Sequence, residues 1–500
     1  MLFNSWQFVF LFLPITALVF FQVGSRNHKF AIAWLVAASL FFYGWWNPAY
    51  LGLLIFSIIF NYGIGKAILQ PIHPLISPKI LLTFGVVVNL FLIGYFKYEN
   101  FFASSINQVL GTNLYLNNLV LPLAISFFTF EQIAYLVDVY KGETKENSFL
   151  NYSLFVTFFP RLIAGPIIRH QEVMPQFANR SIYKFKSENL AIGITIFLIG
   201  LCKKVIIADH IASYGDLVFD TAASGLPLTF YEACSGAVIY SLQLYFDFSG
   251  YSDMAIGTAR IFGIKLPLNF DSPYKSVNII DFWRRWHITL SNFLRDYLYI
   301  PLGGNRQGKV KRNVNLMITM LLGGLWHGAG WTFIIWGGLH GLYLIINHQW
   351  RSFRKLLGQD LKKSYWLTRS LSCLLTFIAV VIAWVFFRAE NINVALAIIK
   401  TMSGSQGISL ASPTVPSTKA LTLILLIVVW FAPNTQQFLL QHQPALTEPI
   451  AASSNWSNRL FQKIQWQPTK SLGIVLGILA FIAIKTFLDA PQSKFLYFNF

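Results

Sequence analysis

DFWRRWHITLSNFLRDYLYI, at 281–300, and GGLWHGAGWTFIIWGGLHGLY, at 323–343, combine apolar length with ionisable side chains in a way that few soluble segments do. Both lie in a region from Gln243 to Gly341 that is strongly apolar and rich in Gly and Trp. Histidines, arginines and aspartates sit within or tight against its apolar runs, whereas elsewhere charges mostly fall between the runs. Ionisable groups in or against membrane segments are costly and are kept for function, so the chemistry is expected here.

The rest of the chain is as apolar as these two stretches. Of 500 residues, 55% are hydrophobic and 12% charged, with mean hydropathy +0.54. A soluble domain carries about 25% charged residues. Apolar runs long enough to span recur from end to end, so an all-α polytopic membrane protein is expected, forming one membrane domain over 1–500. Candidate spans are 6–23, 30–46, 50–69, 79–96, 118–140, 187–208, 229–246, 314–346, 368–388, 418–433 and 472–488, about eleven in all. Apolar pieces at 152–168, 252–264 and 282–300 read as re-entrant or interfacial. Segments 404–418 and 436–470 read as extramembrane linkers, and no internal repeat is visible.

Trp6 to Val23 has no basic residue before it and no small-residue cleavage site after it, so it reads as a retained span. The net charge of +18 is first a topology signal. Attraction to anionic lipid headgroups or to an acidic substrate is a secondary reading, and nothing points to nucleic acid. Arg26, His28 and Lys29 follow the first span, which puts that turn in the cytoplasm and the N-terminus outside. An odd span count then leaves the C-terminus cytoplasmic. Cys202, Cys234 and Cys373 are far apart and support neither a disulfide framework nor a zinc site, so no metal is expected.

Four segments have the composition for chemistry. FFPRLIAGPIIRH, at 158–170, cannot hold one continuous helix through Pro160, Gly165 and Pro166. Broken backbone at membrane depth lines a cavity or is buried in protein. Arg161 and Arg169 bracket it, either as anion ligands or as part of an interfacial loop. YFDFSGYSDMAIG, at 245–257, places Asp247 and Asp253 on either side of Gly250. They serve as acid and base, orient histidines, or pair with arginines such as Arg260 or Arg284; pairing is the cheaper arrangement.

In 281–300, a helical reading aligns Arg284, His287, Ser291 and Arg295 as one polar stripe, and Asp281 pairs with Arg285 at i,i+4. The alternative is a snorkelling amphipathic helix without chemistry. The fourth segment, Val314 to Tyr343, is long enough to span, with His327 near the centre of its apolar run. On a continuous helix Gly324, Gly328 and Trp331 share its side, and the glycines admit a close neighbour or ligand. A neutral imidazole there can accept a proton; the bland alternative is a histidine bonded to a neighbouring helix. His340 falls roughly 140° around an ideal helix from His327, outside its site unless the glycines kink the chain. No GxSxG elbow, P-loop or GxGxxG competes.

These motifs, with LPLNFDSPY at 266–274 and FLYFNF at 495–500, resemble the membrane-bound O-acyltransferase (MBOAT) family. The likeness is to its bacterial branch, typified by the alginate O-acetyltransferase membrane subunit and the D-alanyl transfer protein of teichoic acid modification. The resemblance implies a helical fold of about eleven spans around a tunnel in the cytoplasmic (inner) membrane. It implies acyl transfer to a hydroxyl, with His327 in the WHG motif and His287 in the RRWH segment as the catalytic pair. It also implies, in the polysaccharide-modifying branch, an extracytoplasmic SGNH-type partner.

The mechanism then expected starts from acetyl-CoA or another acyl thioester, presented from the cytoplasmic side as co-substrate, with no bound cofactor. His327 takes the proton of the attacking hydroxyl, and His287 orients the acceptor or donates to the oxyanion. Asp247, Asp253, Asp281, Trp331 and His340 orient the pair. Arg161, Arg284, Arg285 and Ser291 contact donor or acceptor. Rival readings are D-alanyl transfer to a teichoic-type polymer, a membrane glycosyltransferase, and a transporter or channel, although the repeats common in transporters are not seen.

Overall fold

The computed structural model describes residues 1–70, 76–116, 120–146, 148–360, 365–413, 416, 418–449, 465–489 and 495–496. Among them the regular structure is entirely helical, without strands. Six helices are long and apolar enough to cross a membrane: Gln7–Gly24, Ala49–Leu69, Pro78–Leu110, Ser187–Ala223, Trp366–Arg388 and Lys470–Asp489. His28–Gly44, Ile392–Met402 and Lys419–Phe431 are shorter apolar helices. Helices are the expected solution, because backbone N–H and C=O groups at membrane depth must be satisfied within the segment.

The central post is Phe230–Ile261, a helix of 32 residues buried along nearly all of its length. It starts at a capping box, in which Thr229 Oγ1 accepts the Glu232 amide and the Glu232 carboxylate accepts the Thr229 amide. It runs on through 252–261, most of the stretch 252–264 that the sequence reading treats as an interfacial piece, and ends before a left-handed Gly263. Its main neighbour is Ser187–Cys202, and glycines let the two backbones touch. A Cβ on Gly200 would lie 2.5 Å from the Gly250 carbonyl oxygen, and one on Gly257 would lie 2.6 Å from that of Gly193. Small residues at the crossing supply the dispersion contact that lipid does not drive.

Several expectations are corrected here. The single span at 314–346 is a hairpin of Gly308–His327 and Trp331–Leu356, broken at Gly328-Ala329-Gly330. Two glycines in three residues favour leaving the helix, and the arms then close on each other. A Cβ on Gly324 would meet the Phe333 carbonyl oxygen at 2.3 Å, and one on Gly337 that of Met320 at 2.3 Å. The stretch 281–300 is not one helix but Ile279–Trp283, Ile288–Leu294 and a π turn at Arg295–Tyr299. Ile392–Met402 was not anticipated, and the helix expected from 118 starts at Ile125.

The beginning of the 436–470 segment packs inward: Gln436 is buried and Leu446 N donates to Leu266 O at 2.8 Å. Most of the rest of that segment, parts of 404–418, and 497–500 of the FLYFNF motif lie outside the described residues.

Candidate active site

The break at 284–287 is dictated from outside the segment. Asn269, in the LPLNFDSPY loop, accepts the Ile288 amide through its carbonyl at 3.0 Å. Its Oδ1 accepts Thr289 Oγ1 at 3.0 Å. Thr289 Oγ1 in turn accepts the Ile167 amide at 3.0 Å, and Asp271 N donates to Arg285 O at 2.9 Å. Three of the motifs are thus tied together just beside His287. The result is a left-handed backbone at His287, φ 42° and ψ 53°, which then begins the helix Ile288–Leu294. A non-glycine residue held there stores strain, a common property of functional positions.

His327 is the last residue of its helix, before Gly328 turns extended. Both histidines therefore sit where helices end, and both are buried. Their ring centroids are 6.2 Å apart with the planes at 50°. Aromatic rings enclose them: Phe248 meets His287 edge-on at 4.8 Å, Trp326 lies 5.9 Å from it, and Trp336 and Phe387 meet His327 at 5.0 and 5.2 Å. A reacting group between the rings would be shielded from bulk water, where hydrogen bonds and charges act more strongly.

The hairpin also brings His340 in. Trp336 stands between it and His327, with centroids 5.0 Å from one and 4.8 Å from the other. His340 is fully buried, stacked on Phe282 at 6.0 Å, and neither ring nitrogen has a hydrogen-bond partner among the described residues. The glycine break is what an unbroken helical wheel could not foresee.

The carboxylates are held by lysines rather than by Arg260 or Arg284. Asp247 pairs with Lys204 at 2.6 Å and accepts the Leu496 amide at 2.9 Å. Asp253 pairs with Lys203 at 2.6 Å and accepts Thr435 Oγ1 at 2.6 Å and Gln436 Nε2 at 3.3 Å. Both lysines lie in the π turn Lys203–Ala208. Asp281 pairs with Arg285 at 2.9 Å as expected, and Arg285 also faces Asp271 at 3.7 Å.

Other assignments do not survive as geometry. The polar stripe Arg284, His287, Ser291 and Arg295 dissolves with the helix break: Arg284 is exposed and Ser291 Oγ donates back to Trp286 O at 3.3 Å. Trp331 is 52% exposed and packs on Phe101 rather than against His327, because the turn before it reverses the chain; Trp336 takes that place. Arg161 is buried in an ion pair with Glu131. Among the described residues no three His, Cys, Asp or Glu side chains are grouped to hold a metal.

Sequence reasoning missed Lys97 and Tyr98. The Lys97 ammonium donates to the carbonyls of Trp326 at 2.6 Å and His327 at 3.2 Å, and the Tyr98 hydroxyl to that of Leu325 at 2.8 Å. The available signal was a lysine inside the apolar run that continues to Leu110.

With this geometry in place, the comparisons decide the family. The profile of the membrane-bound O-acyltransferase family matches residues 81–389, which include both histidines and all of their enclosing rings. This chain belongs to the membrane-bound O-acyltransferase family. Similar proteins of this MBOAT family include the "Peptidoglycan O-acetyltransferase" of Helicobacter pylori, 43% identical over 100% of this chain and 98% of that protein. The "Probable alginate O-acetylase AlgI" of Azotobacter vinelandii is 41% identical over 100% of both chains. The "Teichoic acid D-alanyltransferase" of Streptococcus thermophilus is 29% identical over 53% of this chain and 68% of its own. The protein is a multi-pass membrane-embedded MBOAT enzyme, an O-acyltransferase.

Proposed function

We propose that the protein moves an acetyl group from a thioester donor, acetyl-CoA on the cytoplasmic side, to a hydroxyl of an extracytoplasmic polysaccharide. The observation that carries the reading is the pair of buried imidazoles, His287 and His327, facing each other at 6.2 Å in an aromatic enclosure. The full-length relatives named for O-acetylation of peptidoglycan and alginate favour acetyl over D-alanyl, which the shorter match supports less.

In this mechanism His327 takes the proton from the acceptor hydroxyl as its oxygen attacks the thioester carbonyl carbon. The new C–O bond forms, and the carbonyl electrons move to oxygen, where the N–H of His287 stabilises the oxyanion. Collapse breaks the C–S bond. The proton held by His327 passes to the departing thiolate, leaving free CoA, an ester and a neutral imidazole. His340 and the Lys–Asp pairs hold the surrounding helices. An SGNH-type extracytoplasmic partner completes delivery to the polymer, and the chain sits in the inner membrane with its N-terminus outside and its C-terminus in the cytoplasm.

The test is thioester turnover by the purified protein in nanodiscs, supplied with acetyl-CoA carrying a labelled acetyl group and a panel of polysaccharide acceptors. CoA release and transferred label that vanish in His327→Ala support the reading. Turnover equal in wild type and His327→Ala overturns the assignment. Turnover only with a D-alanyl carrier-protein thioester moves the donor to the teichoic alternative.

A further inference from the structure

The Gly308–His327 helix ends without a cap of its own. The last carbonyls of a helix have no intrahelical donor, and a left-handed glycine usually closes such an end. Here the chain leaves in extended form through Gly328, φ −158° and ψ 148°, whose amide reaches back only to Gly324 O at 3.4 Å. The donors come instead from another helix. In Pro78–Leu110 a π turn at Gly94–Tyr98 presents Lys97 and Tyr98 to that end. Their side chains take three successive carbonyls: Leu325 from Tyr98, and Trp326 and His327 from Lys97. Ser126 Oγ is the third acceptor of the ammonium, at 3.2 Å.

We infer that Lys97 is a positioning residue for His327, an assignment that rests on the acyl-transfer reading above. The acceptors that Lys97 meets are neutral oxygens, two of them at the negative end of a helix dipole, where a cation is stabilised. Its charge is therefore used to hold a helix end, and the residue at that end bears the general base. Freed from it, the last turn frays towards the flexible Gly-Ala-Gly link, and the imidazole loses its register against His287. A misplacement of about 1 Å at a reacting group lowers the rate by roughly 10²-fold.

The test compares Lys97→Met, Lys97→Arg and Asn89→Leu in nanodiscs. Asn89 lies on the same long helix and exchanges hydrogen bonds with Asn61 at 2.6 and 3.2 Å, so its loss weakens packing without touching the helix end. Expected for Lys97→Met is a kcat lower by about 10²-fold with KM within threefold, for Lys97→Arg recovery to within tenfold, and for Asn89→Leu a lower Tm with kcat retained. Amide hydrogen exchange over 326–331 should speed up in Lys97→Met and stay at the wild-type rate in Asn89→Leu. That readout needs no turnover, so it tests the inference even where the wild type fails the acetyl-CoA assay. A kcat for Lys97→Met within threefold of wild type, or unchanged exchange over 326–331, overturns it. If Lys97→Met does not fold, Lys97→Gln, which is shorter and lacks the charge on which the hold depends, is read by the same criteria.

Discussion

The imidazoles of His287 and His327 lie 6.2 Å apart although one opens a short helix and the other closes a long one. Each ring is thus carried by a chain end whose direction is set by hydrogen bonds from elsewhere. The Asn269–Thr289–Ile167 network fixes the first, and Lys97 with Tyr98 fixes the second.

His327→Ala removes the proposed base. Loss of a general base lowers rates by about 10² to 10⁴-fold, and the variant should still reach the membrane as folded protein. Steady-state CoA release, alongside size-exclusion chromatography of the purified variant, checks both halves of that statement.

His287→Asn and His287→Ala should separate backbone from ring. Asparagine tolerates the left-handed region, while alanine at φ 42° bears a cost on the order of 1–2 kcal/mol. Alanine has no more backbone strain than histidine, so its stability falls chiefly through the cavity left among Phe248, Phe270 and Trp326. Asparagine should melt closer to wild type, yet both should lose turnover. An active His287→Ala would show that the ring takes no part in the reaction.

Gly324→Ala and Gly337→Ala should open the hairpin that carries His327. Each added methyl would sit 2.3 Å from a carbonyl oxygen of the opposite arm. Overpacking of this kind costs typically about 1–3 kcal/mol, and backbone cannot move aside as a flexible side chain can. Gly52→Ala, with nothing within 4 Å of its new Cβ, is the control and should be neutral or stabilising. Thermal unfolding in detergent ranks the three.

Glu131→Gln leaves the Arg161 guanidinium buried against a neutral amide. Breaking a buried ion pair from one side costs about 3–5 kcal/mol, so little monodisperse protein is expected. Replacing both partners by apolar residues, Glu131→Leu with Arg161→Met, should restore folding. A donor-binding Arg161 would give a different signature, a raised KM for the thioester in a stable protein.

The all-helical membrane character and the family were legible in the sequence, because apolar runs and the motifs between 158 and 341 have few alternative explanations; His287 and His327, which the resemblance names as the catalytic pair, come within 6.2 Å of each other. The partners of the ionisable residues were not legible. Asp247 and Asp253 looked toward arginines close in sequence, but lysines on the preceding helix reach them. Trp331 and His340 were placed by extending one helix through His327. The Gly-Ala-Gly turn reverses the chain, puts Trp331 at the surface and folds His340 back beside Trp336. Lys97 was invisible because its role depends on carbonyls more than two hundred residues away in the chain, which no local pattern records.

Lys203 and Lys204 also bear on how the chain is made. They lie mid-way along the Ser187–Ala223 helix, where Lys204 has one partner of its own, Asp209 at 2.8 Å, while Asp247 and Asp253, which complete the neutralisation of the pair, sit on Phe230–Ile261, which leaves the ribosome later. A lysine at the centre of a lone inserted helix costs roughly 2.5–3.5 kcal/mol on translocon scales. Two adjacent ones make that helix a poor candidate for release into lipid by itself. The two segments are thus expected to partition together, as a hairpin whose first arm waits beside the insertion channel until Asp247 and Asp253 have been synthesised.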